Sequence, residues 1–324
     1  MKEAVNPKTS SGKTAVRIRT ILVPIDFSPQ SLEALGYASA LGERFGGELH
    51  VSYVLEPDFA YAVPYLLELP PFTTPEESEQ HVRSELESVT ADYAIAGKPA
   101  TAHARFGRAF DQICKLASEI QADLIVLSTH GYTGLKHVLL GSTAERVVRH
   151  APCPVLVVRE RGINTDPATE AKSGTTFEIR KVLVPIDFSD CSRNGLNYAI
   201  RLAKATGGSL VLLHALKLLP AVTPDRFTFA MPTPETIAQA AKEQMQKFVA
   251  AVEFDGVQFE TKVEPGAPAH EICDYAENCG VDLIVTPTHG VTGLAHVLIG
   301  SVAEHVVRYA RCPVLVIPRS AKSF

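Results

Sequence analysis

Read for hydrophobic spacing, the chain alternates between two rhythms. Short apolar runs such as Ile21 to Asp26 and Asp123 to Leu127 predict buried strands, and between them apolar residues recur every three or four positions, predicting helices. Leu32, Leu35, Ala38, Leu41 and Phe45 mark the first helix. Ser28 and Pro29 open it as cap and first helical residue, and Gly46-Gly47 closes it. Next come a strand at Leu49 to Leu55, a helix from about Glu76 to Ala96 and a strand near Thr101 to Arg105. A helix from about Arg108 to Ile120, the strand ending at Leu127, a helix to His150 and a strand at Pro154 to Val158 complete the pattern. Strands alternating with helices predict a parallel sheet covered on both faces.

The pattern then restarts. VLVPIDFS (Val182 to Ser189) matches ILVPIDFS (Ile21 to Ser28) at seven of eight positions, and Gly207-Gly208 repeats Gly46-Gly47. PGAPAHEICDYA (Pro265 to Ala276) parallels FGRAFDQICKLA (Phe106 to Ala117), and CPVLVI (Cys312 to Ile317) repeats CPVLVV (Cys153 to Val158). A helix is expected from about Glu235 to Val252. This is a duplicated domain. The expected organisation is a flexible tail at 1–18, a first domain at 19–159, a polar linker at 160–178 and a second domain at 179–319. Each half also carries a Pro-rich aromatic insert, at 56–75 and 219–234. These inserts are open to reading as lids, as partner surfaces, or as loop tips packed by their own aromatics.

The predicted fold class is therefore α/β: two tandem doubly wound domains, each a five-stranded parallel sheet with helices on both faces. The right-handed crossover rule gives the order 3-2-1-4-5, which sets the C-terminal ends of strands 1 and 4 side by side. Ligands of open α/β sheets bind at such a switch point. The last strands, Val155 to Val158 and Val314 to Ile317, are expected to pair with each other, joining the halves as an internal pseudo-dimer.

At the switch point lies a second repeated stretch, STHGYTGLKHVLLGS (Ser128 to Ser142) and PTHGVTGLAHVLIGS (Pro287 to Ser301). Each follows a predicted strand and precedes helical spacing at Ala144, Val147 and Val148, or Ala303, Val306 and Val307. Gly141-Ser142 and Gly300-Ser301 thus fall at a helix N-terminus, where unpaired N–H groups and the helix dipole favour an anion such as phosphate.

Composition narrows the function classes. The 324 residues suit two domains, and 46% hydrophobic with 21% charged residues is ordinary for a globular protein. A net charge of -5 speaks against a nucleic-acid module. The basic N-terminal residues precede no apolar run, and no stretch has the length of a membrane span, so no membrane role and a cytoplasmic location are expected. Cys114 matches Cys273 and Cys153 matches Cys312, which reads as buried free thiols rather than a disulfide framework. Cys191 and Cys279 have no counterpart. His150 lies three residues before Cys153, but Tyr309 replaces it in the second half, so no metal site is expected.

VPIDFS at the first strand, a His-Gly loop with nine residues before Gly-Ser, and the closing CPVLVV resemble the universal stress protein family over nearly the whole chain, in two copies. The resemblance implies the 3-2-1-4-5 fold, contacts through the last strand and, in one branch, ATP binding by a Gly-x-x-Gly-x9-Gly-Ser/Thr loop. Carried over by position, it places adenine and ribose near Pro24, Ile25, Asp26 and Val54, with Leu127 beside them. Phosphates would lie on Ser128, His130, Gly131, Gly141, Ser142 and Thr143. The second-half positions are Pro185, Ile186, Asp187, Ala215, Thr286, His289, Gly290, Gly300, Ser301 and Val302. The first glycine of the pattern is Ser128 in one half and Pro287 in the other, so an adenine nucleotide, with Mg as a candidate companion, is expected in the first half ahead of the second.

The expected function is that of an ATP-binding regulator or sensor in stress response, with homodimers of the whole chain also expected. The alternatives are a nucleotide-free interaction scaffold and a slow ATP hydrolase. No catalytic residue stands out, because neither loop has the nucleophile elbow or the lysine of a Walker loop. Asp26 and Asp187 read equally as turn residues beside Ser28 and Ser189.

Overall fold

The structure, a computed structural model, describes residues 18–56, 75–91, 93, 95, 97–129, 140–159, 178–217, 233–290 and 299–319. Residues 1–17 of the expected tail, most of the linker and the central parts of both inserts lie outside the described residues, and Ile18, placed in the tail by its sequence, is buried in the core.

In the first half β1 (Thr20–Pro24), α1 (Pro29–Phe45), β2 (Glu48–Leu55), α2 (Pro75–Thr90) and β3 (Thr101–Phe106) are followed by α3 (Ala109–Glu119), β4 (Leu124–Ser128), α4 (Ser142–His150) and β5 (Val155–Val158). The second half repeats them as β6 (Lys181–Pro185), α5 (Asp190–Thr206), β7 (Ser209–Leu216), α6 (Pro234–Ala250), β8 (Phe259–Pro265), α7 (Pro268–Asn278), β9 (Leu283–Pro287), α8 (Ser301–Tyr309) and β10 (Val314–Ile317).

Among the described residues ten strands form one sheet in the order β3-β2-β1-β4-β5-β10-β9-β6-β7-β8. Each half keeps the 3-2-1-4-5 order with parallel neighbours, and the halves join where β5 meets β10 antiparallel, Leu156 opposite Leu315. Apolar side chains alternate between two cores, as strands covered on both faces require. One core gathers Val23, Leu35, Ala38, Val82 and Leu86 under α1 and α2, with Val184, Leu196 and Met245 under α5 and α6. The other gathers Leu22, Ile125, Leu116 and Val147 under α3 and α4, with Ile284, Ile272 and Val306 under α7 and α8.

Two predicted elements differ from the structure. Strand β1 ends at Pro24 rather than Asp26, because Phe27 takes a left-handed φ of 62° and turns the chain out of the sheet, while Ser28 caps α1 as expected. Phe188 repeats this at 65°. Helix α2 stops at Thr90 rather than Ala96: the Thr90 hydroxyl donates back to the Leu86 carbonyl at 2.8 Å, and a turn through Gly97, where Ile95 and Lys98 exchange backbone bonds, leads into β3.

Among the described residues no helix is long and apolar enough to cross a membrane. All six cysteines are free. Cys153 is buried, whereas Cys114, Cys273 and Cys312 are only half-buried. Burial pushes the Cys114 and Cys273 thiols up to about 11 and Cys153 to about 12. The His150 ring donates to the Arg146 carbonyl at 2.8 Å and leans on Phe110.

Candidate functional site

The crevice begins where β1 and β4 part. They pair only at Ile21 with Leu124 and Leu22 with Ile125, whereas β1 and β2 stay paired over five residues. Beyond that point Pro24, Ile25 and Asp26 stand on one side, and Leu127 and Ser128 on the other. The second half opens the same way, with β6 and β9 paired only at Val182–Leu283 and Leu183–Ile284.

The turn after β1 fixes its aspartate. Asp26 Oδ1 accepts from the Ser28 N–H at 3.1 Å and the Ser28 hydroxyl at 2.6 Å, and Ser28 Oγ in turn caps α1 by accepting from the Ser31 N–H at 3.3 Å. Asp187, Ser189 and Ser192 repeat the set at 3.0, 2.6 and 3.1 Å. The turn role of both aspartates is thus present in the geometry. The left-handed Phe27 lies against Tyr53, ring centroids 5.1 Å apart, and burial together with the Asp26 carboxylate raises the Tyr53 hydroxyl to about 12. In the second half His214 takes the place of Tyr53, lying tilted against Phe188 with ring centroids 4.4 Å apart and donating to the Ile186 carbonyl at 2.7 Å.

The glycine loop is closed at its base by a bond that sequence reading missed. The Gly141 N–H donates to the Thr129 carbonyl at 2.7 Å, and Gly300 donates to Thr288 at 2.6 Å. Thr129 and Thr288 are buried. Their N–H groups bond the ends of the last strands, at Val158 and Ile317. The Thr-His-Gly repeated in both loops was the available signal. This closure sets the start of α4 against the tip of β4. Gly141 is an extended N-cap with no side-chain cap, and Glu145 is the first residue to bond back to its carbonyl. The N–H groups of Ser142, Thr143 and Ala144 therefore have no acceptor within the helix. Ser142 is exposed and Thr143 half-buried. Gly300, Ser301 and Val302 repeat this arrangement in α8.

The glycines act by close approach. Gly141 and Gly300 have φ of -67° and -73°, which any residue adopts, but a Cβ on them would lie 3.2 Å from the Thr129 carbonyl oxygen and 3.4 Å from that of Thr288. A Cβ on Gly290 would collide with Asp187 Oδ2, so the loop after β9 touches the turn after β6 across the crevice. The substituted first glycine carries no strain: Ser128 and Pro287 are the last residues of their strands, and neither has a positive φ. His289 bonds the Thr288 hydroxyl through its ring at 2.8 Å. His130 and Gly131 lie outside the described residues.

The remaining candidates line the same ends. Ile25 and Ile186 are buried, anchored by N–H bonds of 2.8 Å to the Ser52 and Leu213 carbonyls, with Pro24 and Pro185 half-buried before them. Val54 and Ala215 are half-buried near the ends of β2 and β7, and Leu127 and Thr286 are buried. Ser52, two residues before Val54 on the same face of β2, has a buried hydroxyl without a partner among the described residues.

Two doubly wound units, each with a switch-point crevice and a glycine loop leading into a helix without a side-chain cap, define a tandem α/β protein. The model of the universal stress protein family matches residues 17–159 and again 178–318, and the chain belongs to that family. A universal stress protein of Methanocaldococcus jannaschii is 35% identical over 144 residues, 44% of this chain and 84% of its own length. One of Mycolicibacterium smegmatis is 25% identical over 301 residues, 92% of this chain and 96% of that one, so the tandem form recurs there. The solved structure of a universal stress protein from Archaeoglobus fulgidus superposes with a TM-score of 0.62 at 21% identity, covering 94% of this chain and 97% of its own. At that identity the likeness concerns the fold.

Proposed function

We propose that this chain binds an adenine nucleotide, ATP foremost, in the first-half crevice, and serves as a nucleotide-responsive regulator rather than a metabolic catalyst. The observation that carries the reading is the start of α4, uncapped by any side chain and tied through Gly141 to Thr129 at the tip of β4. Three amides without a helical acceptor and the helix dipole at that place suit a polyphosphate. Ser142 and Thr143 would add hydroxyls, and Ile25, Val54 and Leu127 would pack the base. Asp26 would accept from the ribose or the adenine amino group, and the unpartnered Ser52 hydroxyl is a further polar group on the Val54 face.

Among the described residues no group of three or more His, Cys, Asp or Glu is placed to hold a metal. A Mg2+ ion accompanying the nucleotide would be held chiefly by phosphate oxygens and water. A cytoplasmic location, homodimers of the whole chain and the absence of nucleic-acid binding belong to the same proposal.

Native mass spectrometry of the purified chain tests it. One adenine nucleotide per chain, lost in Gly141→Val, is the expected result. A chain that carries none and takes up none when ATP is added would leave the scaffold reading. Phosphate release that persists in Asp26→Ala would count against a hydrolytic role for that residue.

A further inference from the structure

Among the described residues the edges of the ten-stranded sheet are β3 and β8. Each half is internally parallel and the two meet antiparallel at β5 and β10, so β3 and β8 run in opposite directions. A second copy displaced in the plane of the sheet, without rotation, brings its β8 antiparallel alongside β3. That repeats at the edge the kind of joint found at the centre.

The side chains on these edges fit such a joint. Four large apolar residues are exposed among the described residues, and two of them are Phe106, 48% exposed at the end of β3, and Phe259, 41% exposed at the start of β8. Alternation puts Phe106 with Ala104 and Ala102, and Phe259 with Thr261 and Val263. Ala102, Ala104 and Val263 all pack into the core under α1, α2, α5 and α6, so both phenylalanines project on the same face of the sheet. Set opposite each other, they fix an antiparallel register with Arg105 facing Glu260, Ala102 facing Val263 and Thr101 facing Glu264. In that register His103 faces Lys262. Burial, with the neighbouring His50 and Arg105, pushes His103 down to about 4, so it meets Lys262 uncharged at neutral pH.

Charge separates the edges further. Arg83, His103, Arg105, Phe106, Gln112 and Lys115 line a hollow of about 440 Å³ along β3, between α2 and α3, where an added strand would lie. At the places of Arg105, Gln112 and Lys115 the second half has Glu264, Glu271 and Asp274, and β8 adds Glu260. Within the chain Arg105 and Lys115 share one carboxylate, Glu119, at 2.6 and 4.0 Å. Glu260 is 3.4 Å from Lys262. Two β8 strands centred on Lys262 would oppose that lysine to itself and Glu260 to Glu264, so the charges disfavour like edges in that pairing.

We propose that the partner of this edge is a second copy of the chain: β8 of one copy adds antiparallel to β3 of the next, Phe259 against Phe106 and Glu260 against Arg105. The joint is head to tail and does not close on itself, so copies add one after another.

Sedimentation equilibrium of the full chain at low salt tests this. The weight-average mass should climb with concentration beyond that of two copies and fall as salt is raised. Arg105→Glu and Glu260→Lys should each weaken association roughly tenfold, and the double variant should restore it, since the pair is then reversed rather than broken. A mass that stays at one copy or stops at two would overturn the proposal. So would association indifferent to salt, single variants that associate like the parent chain, or a double variant no better than the singles.

Discussion

A methyl group added to Gly195 would come 3.4 Å from Cδ of Pro287. Helix α5 thus lies close beneath the residue that replaces the first glycine of the second loop, while Ala34 and Ser128 hold the matching places in the first half. The missing N–H of Pro287 costs no bond to β6, because that pairing has already ended at Ile284. At 3.4 Å an alanine methyl makes ordinary contact, and alanine is the better helix former. Gly195→Ala should therefore stabilise the chain by about 0.5–1 kcal/mol in urea unfolding. A loss of stability would mean that helix and strand are closer than this geometry.

Asp26 holds two donors of a serine that is only 2% exposed. Removing the carboxylate strands the Ser28 hydroxyl in the interior and loosens the cap of α1. Asp26→Ala should cost about 1–3 kcal/mol whether or not nucleotide is present, and Asp26→Asn, which keeps an acceptor, less. Asp187→Ala should behave alike. If Asp26→Ala unfolds at the same urea concentration as the parent, the turn does not depend on this aspartate.

On the inner face of β2 and β3, His50 and His103 bring their ring nitrogens to 2.9 Å. Burial lowers His50, and burial with the His50 charge pushes His103 from 6.5 to about 4. The folded protein therefore binds fewer protons than the unfolded one. The stability this neutral pair contributes is present above about pH 6.5 and lost as the pH falls through about 4. Both rings are partly exposed, which limits the effect to about 1–2 kcal/mol. His50→Val, with the residue that the second half has at Val211, should flatten this acid limb in urea unfolding at a series of pH values. An unchanged slope would contradict it.

The joint between the halves carries four charges in a ring. Arg149 reaches Glu145 at 2.8 Å and Glu304 at 3.4 Å, while Arg308 reaches Glu304 at 3.1 Å and Glu145 at 3.3 Å. These side chains are about a third exposed, so water and salt weaken each pair. A double-mutant cycle on Arg149→Ala and Glu304→Ala should give a coupling of about 0.5–1 kcal/mol that shrinks in high salt. Coupling within error of zero would assign the joint to its apolar strands alone.

The architecture was legible because duplication printed each signal twice and strand burial is read directly from runs such as ILVPI and VLVPI. The pairing of β5 with β10 followed from two short apolar strands that needed covering. What was hidden depended on backbone paths that side-chain patterns do not encode. The left-handed Phe27 and Phe188 are aromatic residues where glycine would be expected, so β1 read two residues too long, to Asp26 rather than Pro24. The bond from Gly141 to the Thr129 carbonyl joins residues at opposite ends of a loop. The glycine pattern suggested a need for backbone freedom, whereas at Gly290 the reason is the Asp187 carboxylate lying where a Cβ would stand.

The central claim is that a polyphosphate settles on the amides that Gly141 opens. Isothermal titration of the chain with ATP, set beside Gly141→Val, tests it most directly. A valine there would be driven into the Thr129 carbonyl, already 3.2 Å from a bare Cβ. The account predicts binding heat with about one site per chain in the parent, lost in Gly141→Val while the variant's helical content and unfolding transition persist. Equal binding by both, or no heat from the folded parent chain, would contradict it.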